Sequence, residues 1–263
     1  MKIIYPKNLS KINIEKFFVK IGLKQLVIES KIKIPPNLDQ RKMKIPQPPD
    51  LNDLYRLYML IVLNKRTTVL EFGTGYSTLV MHYALMENKK KFGKKQPFQR
   101  CENPFEIFTV DNNLFFSKIS KDRVKKYSKK TKYVNFFHSE AQMTDYQGNI
   151  AVEYKKLPLV NPDFIYLDGP SQWAPKNRVS NFTTAHPDMM PMSCDIAKIE
   201  NFLTPGTIIV SDGRTANSLF LKNCFKRNWK FKRDVKNDQI YFLLNEKSLG
   251  LYNTQQLNFY KSK

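Results

Sequence analysis

Apolar residues recur at helical spacing through Leu51, Leu54, Leu57, Tyr58, Ile61 and Val62. They begin directly after Asp50, a residue type suited to a helix N-cap. A strand is predicted next, Thr67-Thr68-Val69-Leu70-Glu71-Phe72, closing on Gly73-Thr74-Gly75, with a helix from 77 to 88. The same alternation continues. Strands are predicted at 105–111, 133–137, 164–168 and 207–212, with helices at 113–128, 195–203 and 216–227. Two alternating runs at 229–235 and 239–244, joined by Lys236-Asn237-Asp238, read as a hairpin. Strand-then-helix alternation predicts an α/β fold: a doubly wound, mostly parallel sheet with an antiparallel hairpin at its C-terminal end.

The flanks read differently. Residues 1–50 form an N-terminal extension with a short amphipathic pattern (Ile12, Ile14, Phe17, Phe18, Ile21, Leu26) and a Pro-rich segment from Pro35-Pro36 to Pro48-Pro49, which excludes a continuous helix. Two roles are open to it, covering the site of the main domain or forming a homodimer. The main domain is placed at 51–245, and 246–263 is left as a tail. Polar, Tyr-rich residues 139–157 and the loop 170–192 carry no clear period.

Composition narrows the function classes. At 41% hydrophobic and 13% aromatic residues, the chain has enough apolar mass for a core and is not wholly disordered. Its longest apolar stretches, such as Met59-Leu60-Ile61-Val62-Leu63, are far short of the ~18 residues of a membrane span. With no secretory pattern at the N-terminus and three widely spaced cysteines, a cytoplasmic location is the expectation. The net charge is +21, and the cations cluster at Lys89–Arg100, Lys121–Lys132 and Lys222–Lys236. Such clusters suit solvated helix faces or a track for RNA or another polyanion. Lysine outnumbers arginine 35 to 9, which weakens the nucleic-acid reading because arginine's fork is the usual phosphate and base reader.

The chemistry concentrates at strand ends. Glu71-Phe72-Gly73-Thr74-Gly75-Tyr76-Ser77-Thr78 lies between strand and helix, where parallel sheets bind ligands. It lacks the third glycine of a dinucleotide fingerprint and the lysine of a P-loop. Glu-x-Gly-x-Gly here, an acid at the end of the second strand (Asp111), an acid at the end of the fourth (Asp168 in Leu167-Asp168-Gly169-Pro170) and the closing hairpin together resemble the class I S-adenosylmethionine-dependent methyltransferases.

That resemblance, over about residues 51–245, implies a Rossmann-like fold with a seven-stranded sheet and S-adenosylmethionine as cofactor. It implies a donor site of Glu71, Gly73, Thr74, Gly75, Ser77, Asp111 and Asp168. His138, Ser139 and Glu140 would flank the adenine. Asp168-Gly169-Pro170-Ser171 lacks the aromatic of enzymes that methylate base amines, and is more similar to small-molecule O-methyltransferases. In those, acids after strands four and five hold a divalent cation; Asp168 and Asp212 take these places for Mg²⁺, although Gly213 stands where a third ligand is usual. Asp212 equally suits bracing the next helix. Asp168, Asp212 and His186 are the candidate catalytic groups, His186 as base toward an acceptor hydroxyl or as an ordinary loop histidine. Trp173, Arg214 and Asn217 are candidates for gripping a small-molecule acceptor. The expectation is methyl transfer to a small or medium-sized acceptor, a hydroxyl first, with an RNA or polyanion methyltransferase and a non-catalytic binding protein as alternatives.

Overall fold

A computed structural model describes residues 1–34, 45–94 and 101–262. Pro35 and Pro36, and Lys95 and Arg100 of the first basic cluster, lie outside the described residues. The five central strands are β1 (Thr68–Phe72), β2 (Glu106–Asp111), β3 (Val134–His138), β6 (Phe164–Leu167) and β7 (Ile208–Asp212). All pair in parallel. The hairpin β8 (Trp229–Asp234) and β9 (Gln239–Leu244) joins antiparallel to β7, giving the seven-stranded order β3-β2-β1-β6-β7-β9-β8. This is the predicted architecture. The polar stretch after β3 holds an element the sequence pattern did not reveal, the two-stranded ribbon β4 (Ala141–Tyr146) and β5 (Asn149–Tyr154). Its pattern is hidden because only Ala141, Met143 and the last four residues of β5 are buried.

Alternation along each strand divides the core in two. Val69, Phe164, Tyr166, Ile208 and Val210 face α3 (Leu51–Leu63) and α4 (Tyr76–Phe92). Leu70, Phe72, Val110, Ile165 and Ile209 face the ribbon, α6 (Asp195–Ile199) and α7 (Thr215–Cys224). α5 (Leu114–Tyr127) follows β2. α3 starts as read: the Asp50 carboxylate accepts hydrogen bonds from the backbone N–H of Asn52 (2.8 Å) and Asp53 (3.2 Å).

The N-terminal residues are part of this packing. Helices α1 (Lys11–Lys20) and α2 (Lys24–Glu29) bury Ile14, Phe18 and Leu26 in the α3-side core, where Phe17 meets Tyr55 and Tyr58 edge-on. Each such buried side chain contributes about 1.5–3 kcal/mol. At the other end of the chain, α8 (Leu251–Lys261) docks beneath the N-terminal ends of the strands. Asp163 there accepts from the backbone N–H of Thr67 and Thr68 and from the Tyr260 hydroxyl at 2.7 Å, and the buried Arg66 guanidinium stacks 4.0 Å from the Tyr260 ring. Tyr260→Phe should therefore lower the unfolding free energy by about 1–2 kcal/mol, read as a shifted urea midpoint at unchanged slope. An unshifted midpoint would show that α8 is not anchored through Asp163.

The first two basic clusters run away from the carboxyl ends of the strands, whereas the third ends at Lys236 in the β8–β9 turn, beside the carboxyl end of β7. α4 and α5 both start at the carboxyl ends and run outward, so Lys89, Lys90 and Lys91, and Lys125 and Lys126, occupy their last turns. Cations there complement the helix dipole. Among the described residues no helix is long and apolar enough to cross a membrane.

Candidate active site

The carboxyl ends of β1, β2, β6 and β7 open into a cleft of about 700 Å³. That lies within the ~300–1,000 Å³ usual for small-molecule sites. Gly73 to Ser77 form its floor, Asp111 and Asn113 one side, and Asp168, Asp212 and Arg214 the other. Trp173 from the long loop and Asp50, Asp53, Leu54 and Leu57 from the start of α3 complete the wall. Pro46, Gln47 and Pro49 line it as well, so the segment leading into α3 covers this site.

The glycine turn is held from below and behind. Gly73 has φ +97°, in the left-handed region that favours glycine, and its N–H donates to Val110 O at 2.8 Å. A Cβ at Gly73 would lie 3.1 Å from the Asp168 carbonyl carbon, and one at Gly169 only 2.5 Å from Gly73 N. The two turns thus pack backbone to backbone, and the freedom at Gly73 serves this contact between strand ends. Glu71, fully buried, accepts from the hydroxyls of Ser77 and Thr78 (2.6 Å to Thr78), and Thr78 in turn accepts from Gly75 N. Glu71 and Ser77 therefore fix the loop's shape, and Ser77 Oγ is spent on that task.

Burial without a cationic partner pushes the Glu71 carboxyl up to about 8, and the two hydroxyls only partly offset this. The folded protein thus binds a proton between the ordinary value of 4.5 and about 8 that the unfolded chain has released, so stability falls as pH rises through that window. Glu71→Gln should flatten the decline of melting temperature with pH in this range; an unchanged slope would mean that Glu71 is ionised in the fold.

Asp111 ends β2 at the cleft, where its carboxylate accepts from Asn113 N at 2.6 Å. Burial, with Asp168 adding like charge, raises it to about 6. The Asp168 side chain is 53% exposed, opening into the cleft, with Arg214 Nε 3.6 Å from its Oδ1. Burial of its surroundings raises Asp168 and Arg214 opposes this. Arg214 also donates through Nη2 to the carbonyls of Asp168 and Pro170. It thereby ties the loop after β6 to the loop after β7.

Several predicted residues are used elsewhere. His186 is not among the cleft-lining residues; it is half-exposed on the outer loop, its Nδ1 accepting from Asp188 N at 3.2 Å. Asn217 is buried and clamps Ser193, accepting from its N–H at 3.0 Å and donating to its carbonyl at 2.9 Å, so it braces the loop and cannot grip an acceptor. Ser139 follows the end of β3, its N–H donating to Asp111 O at 3.0 Å and its Oγ accepting from Lys156 N, and Glu140 pairs with Lys155 on the surface. Neither these two nor His138 lines the cleft. Trp173 and Arg214 do. Two residues escaped the sequence reading. Asp53 looked like an ordinary first-turn acid of α3, and Tyr166 like one more alternating core residue of β6, yet both line the cleft.

The Mg²⁺ expectation does not fit these residues. Among the described residues no group of three or more acids, histidines or cysteines is set to hold a metal. The Asp212 and Asp53 carboxyls are close enough to influence each other's ionisation, while Asp168 is engaged by Arg214. Burial raises both Asp53 and Asp212, with Asp50 adding like charge at Asp53 and Asp53 adding it at Asp212, so the pair tends to keep a proton.

No family model matches the chain, and no curated protein matches it. Several solved structures are similar in outline. A Podospora anserina methyltransferase bound to S-adenosylhomocysteine is 12% identical with a TM-score of 0.47, covering 94% of this chain and 100% of that one. An O-methyltransferase of Streptomyces achromogenes involved in tomaymycin synthesis, in complex with S-adenosylmethionine, is 12% identical with a TM-score of 0.41, covering 93% of each chain. An O-methyltransferase of Bacillus cereus bound to S-adenosylhomocysteine is 13% identical with a TM-score of 0.39, covering 93% of this chain and 94% of that one.

Proposed function

We propose that this chain is a class I methyltransferase that takes S-adenosylmethionine in the cleft at the carboxyl ends of β1, β2 and β6 and methylates a small or medium-sized acceptor. The observation that carries the reading is the joint presence, in one cleft, of the Gly73–Gly75 turn fixed by Glu71 and of Asp111 and Asp168 at neighbouring strand ends. Asp111 offers two acceptor oxygens to a ribose diol. Asp168 supplies negative charge beside the place of a sulfonium. When bound, the donor supplies an activated methyl group, and the chain's own task is to align it, exclude water and manage the acceptor's proton. Trp173 and the Pro46–Pro49 segment, which wall the cleft, suit the exclusion of water.

Turnover tests this reading directly. The protein, incubated with S-adenosylmethionine and a mixed panel of small amines, phenols and alcohols, should form S-adenosylhomocysteine in step with a methylated product identified by mass. Tight donor binding with no product from any acceptor would favour the non-catalytic alternative. The RNA alternative predicts binding that weakens steeply with salt, whereas Arg214 is the only cation among the described residues lining the cleft.

A further inference from the structure

The same cleft carries information about the acceptor. Its described wall holds five aspartates (Asp50, Asp53, Asp111, Asp168 and Asp212) against Arg214 alone, in a chain whose net charge is +21. Asp111 and Asp168 belong to the donor side, and Asp50 caps α3. Asp53 and Asp212 remain, from opposite walls: one on the first turn of α3, the other at the end of β7. The nearby cations are largely engaged. Arg214 bonds two carbonyls through Nη2 and faces Asp168 through Nε, with Nη1 buried and unbonded among the described residues. Arg56 is divided among Gln239, Asn8, Asp234 and Tyr241. Gln239 Nε2, 3.5 Å from Asp53, is a weak neutral partner.

A second, independent observation lies beside this pair. Tyr166 is only 5% exposed, and its hydroxyl makes no hydrogen bond among the described residues, although the side chain lines the cleft. A buried phenol ordinarily finds a partner. The register accounts for its position. Tyr166 stands level with Glu71 and Val210, and two residues farther along the same face come Asp168 and Asp212. The hydroxyl therefore stands among acids at the cleft, where a ligand can reach it.

We infer that the acceptor is an amine that enters as its ammonium, with Asp53, Asp212 and the Tyr166 hydroxyl accepting its N–H bonds and Leu54, Leu57 and Trp173 contacting its apolar body. This rests on the methyltransferase reading and sharpens it. A hydroxyl acceptor must develop negative charge as it reacts, and here it would do so among five aspartates with Arg214, already facing Asp168, as the one cation among the described lining residues. An ammonium meets complementary charge on entry. One of its protons passes to the ionised member of the Asp53–Asp212 pair, the other member keeping the proton it already holds. The freed nitrogen lone pair forms the bond to the donor's methyl carbon as that carbon's bond to sulfur breaks, the electron pair staying on sulfur. The N-methylammonium product leaves, and the carboxyl returns its proton to water.

Phenethylamine and 2-phenylethanol, which differ only in the reacting group, are the probes. Calorimetric titration of each into the protein, with and without saturating S-adenosylhomocysteine, should show the amine binding at least about tenfold tighter near neutral pH. Asp53→Asn and Asp212→Asn should each erase most of that preference, and Tyr166→Phe should narrow it. Circular dichroism would confirm that each variant is folded. An alcohol that binds as well as the amine, no amine binding at millimolar concentration, or a preference that survives in both folded Asn variants would overturn the inference. A preserved amine preference in a protein that fails to bind S-adenosylhomocysteine would instead uphold the cation subsite and remove the donor reading.

Discussion

Replacing Asp111 by alanine should abolish measurable binding of S-adenosylhomocysteine while leaving the fold intact. A carboxylate receiving two hydroxyl donors contributes about 1.5 kcal/mol or more through each charge-assisted bond, so the loss is roughly 3 kcal/mol, or about a hundredfold in affinity. The folded state has little to lose. Asp111 is held up at about 6 by burial and by Asp168, and its carboxylate accepts from Asn113 N at 2.6 Å. Removing a carboxylate that the fold keeps against its ionisation preference offsets the loss of that bond. The melting temperature of Asp111→Ala should stay within a few degrees of the parent, with Asp111→Asn intermediate in affinity. Affinity within twofold of the parent would mean that Asp111 does not touch the donor.

Gly169→Ala should have the opposite character, losing stability and donor binding together. Its new Cβ would fall 2.5 Å from Gly73 N, 2.6 Å from the Tyr154 hydroxyl and 2.8 Å from Gly73 Cα. Gly73 cannot retreat cheaply, because its N–H is bonded to Val110 O and its carbonyl accepts from the Thr109 hydroxyl. Tyr154 is buried with its ring stacked on Phe72. Overpacking of this kind costs about 1–3 kcal/mol, and in a chain of this size each kcal/mol moves the melting temperature by about 2–4 °C. Because the displaced atoms belong to the glycine turn itself, donor affinity should fall by more than tenfold. Gly73→Ala, whose nearest contact would be 3.1 Å, should be milder sterically but strained at its positive φ. A parent-like melting curve for Gly169→Ala would show that the two turns are not in the contact described.

The parts of this site that were legible in the sequence are those fixed by strand ends. Glu71, Asp111, Asp168 and Asp212 each close or nearly close an apolar run, and a parallel sheet brings such positions to one edge whatever the side chains do. Residues beyond the strand ends were misplaced because distance along the chain does not give direction. Asn217 follows β7 closely but turns toward Ser193, and His186 lies in the long loop but faces solvent. Ser139 follows β3, yet its hydroxyl is used to brace the Lys156 backbone. The ribbon β4–β5 was hidden because its apolar alternation is short, Ala141 and Met143 being followed by Asp145 on the same face. Asp53 and Tyr166 carried ordinary helix and strand signals, and only the packing of α3 over β6 and β7 brings them to one place. The charge surplus proved least informative: many of the lysines end helices α4 and α5, which run away from the site, and the acids it obscures line the cleft.

The central claim is that the cleft above Gly73–Gly75 binds S-adenosylmethionine. Calorimetric titration of the purified protein with S-adenosylhomocysteine tests it most directly. Saturable binding with one ligand per chain, lost in Asp111→Ala and in Gly169→Ala, is the predicted result. No heat of binding from the folded parent protein at millimolar ligand, or binding that is indifferent to both substitutions, would contradict it.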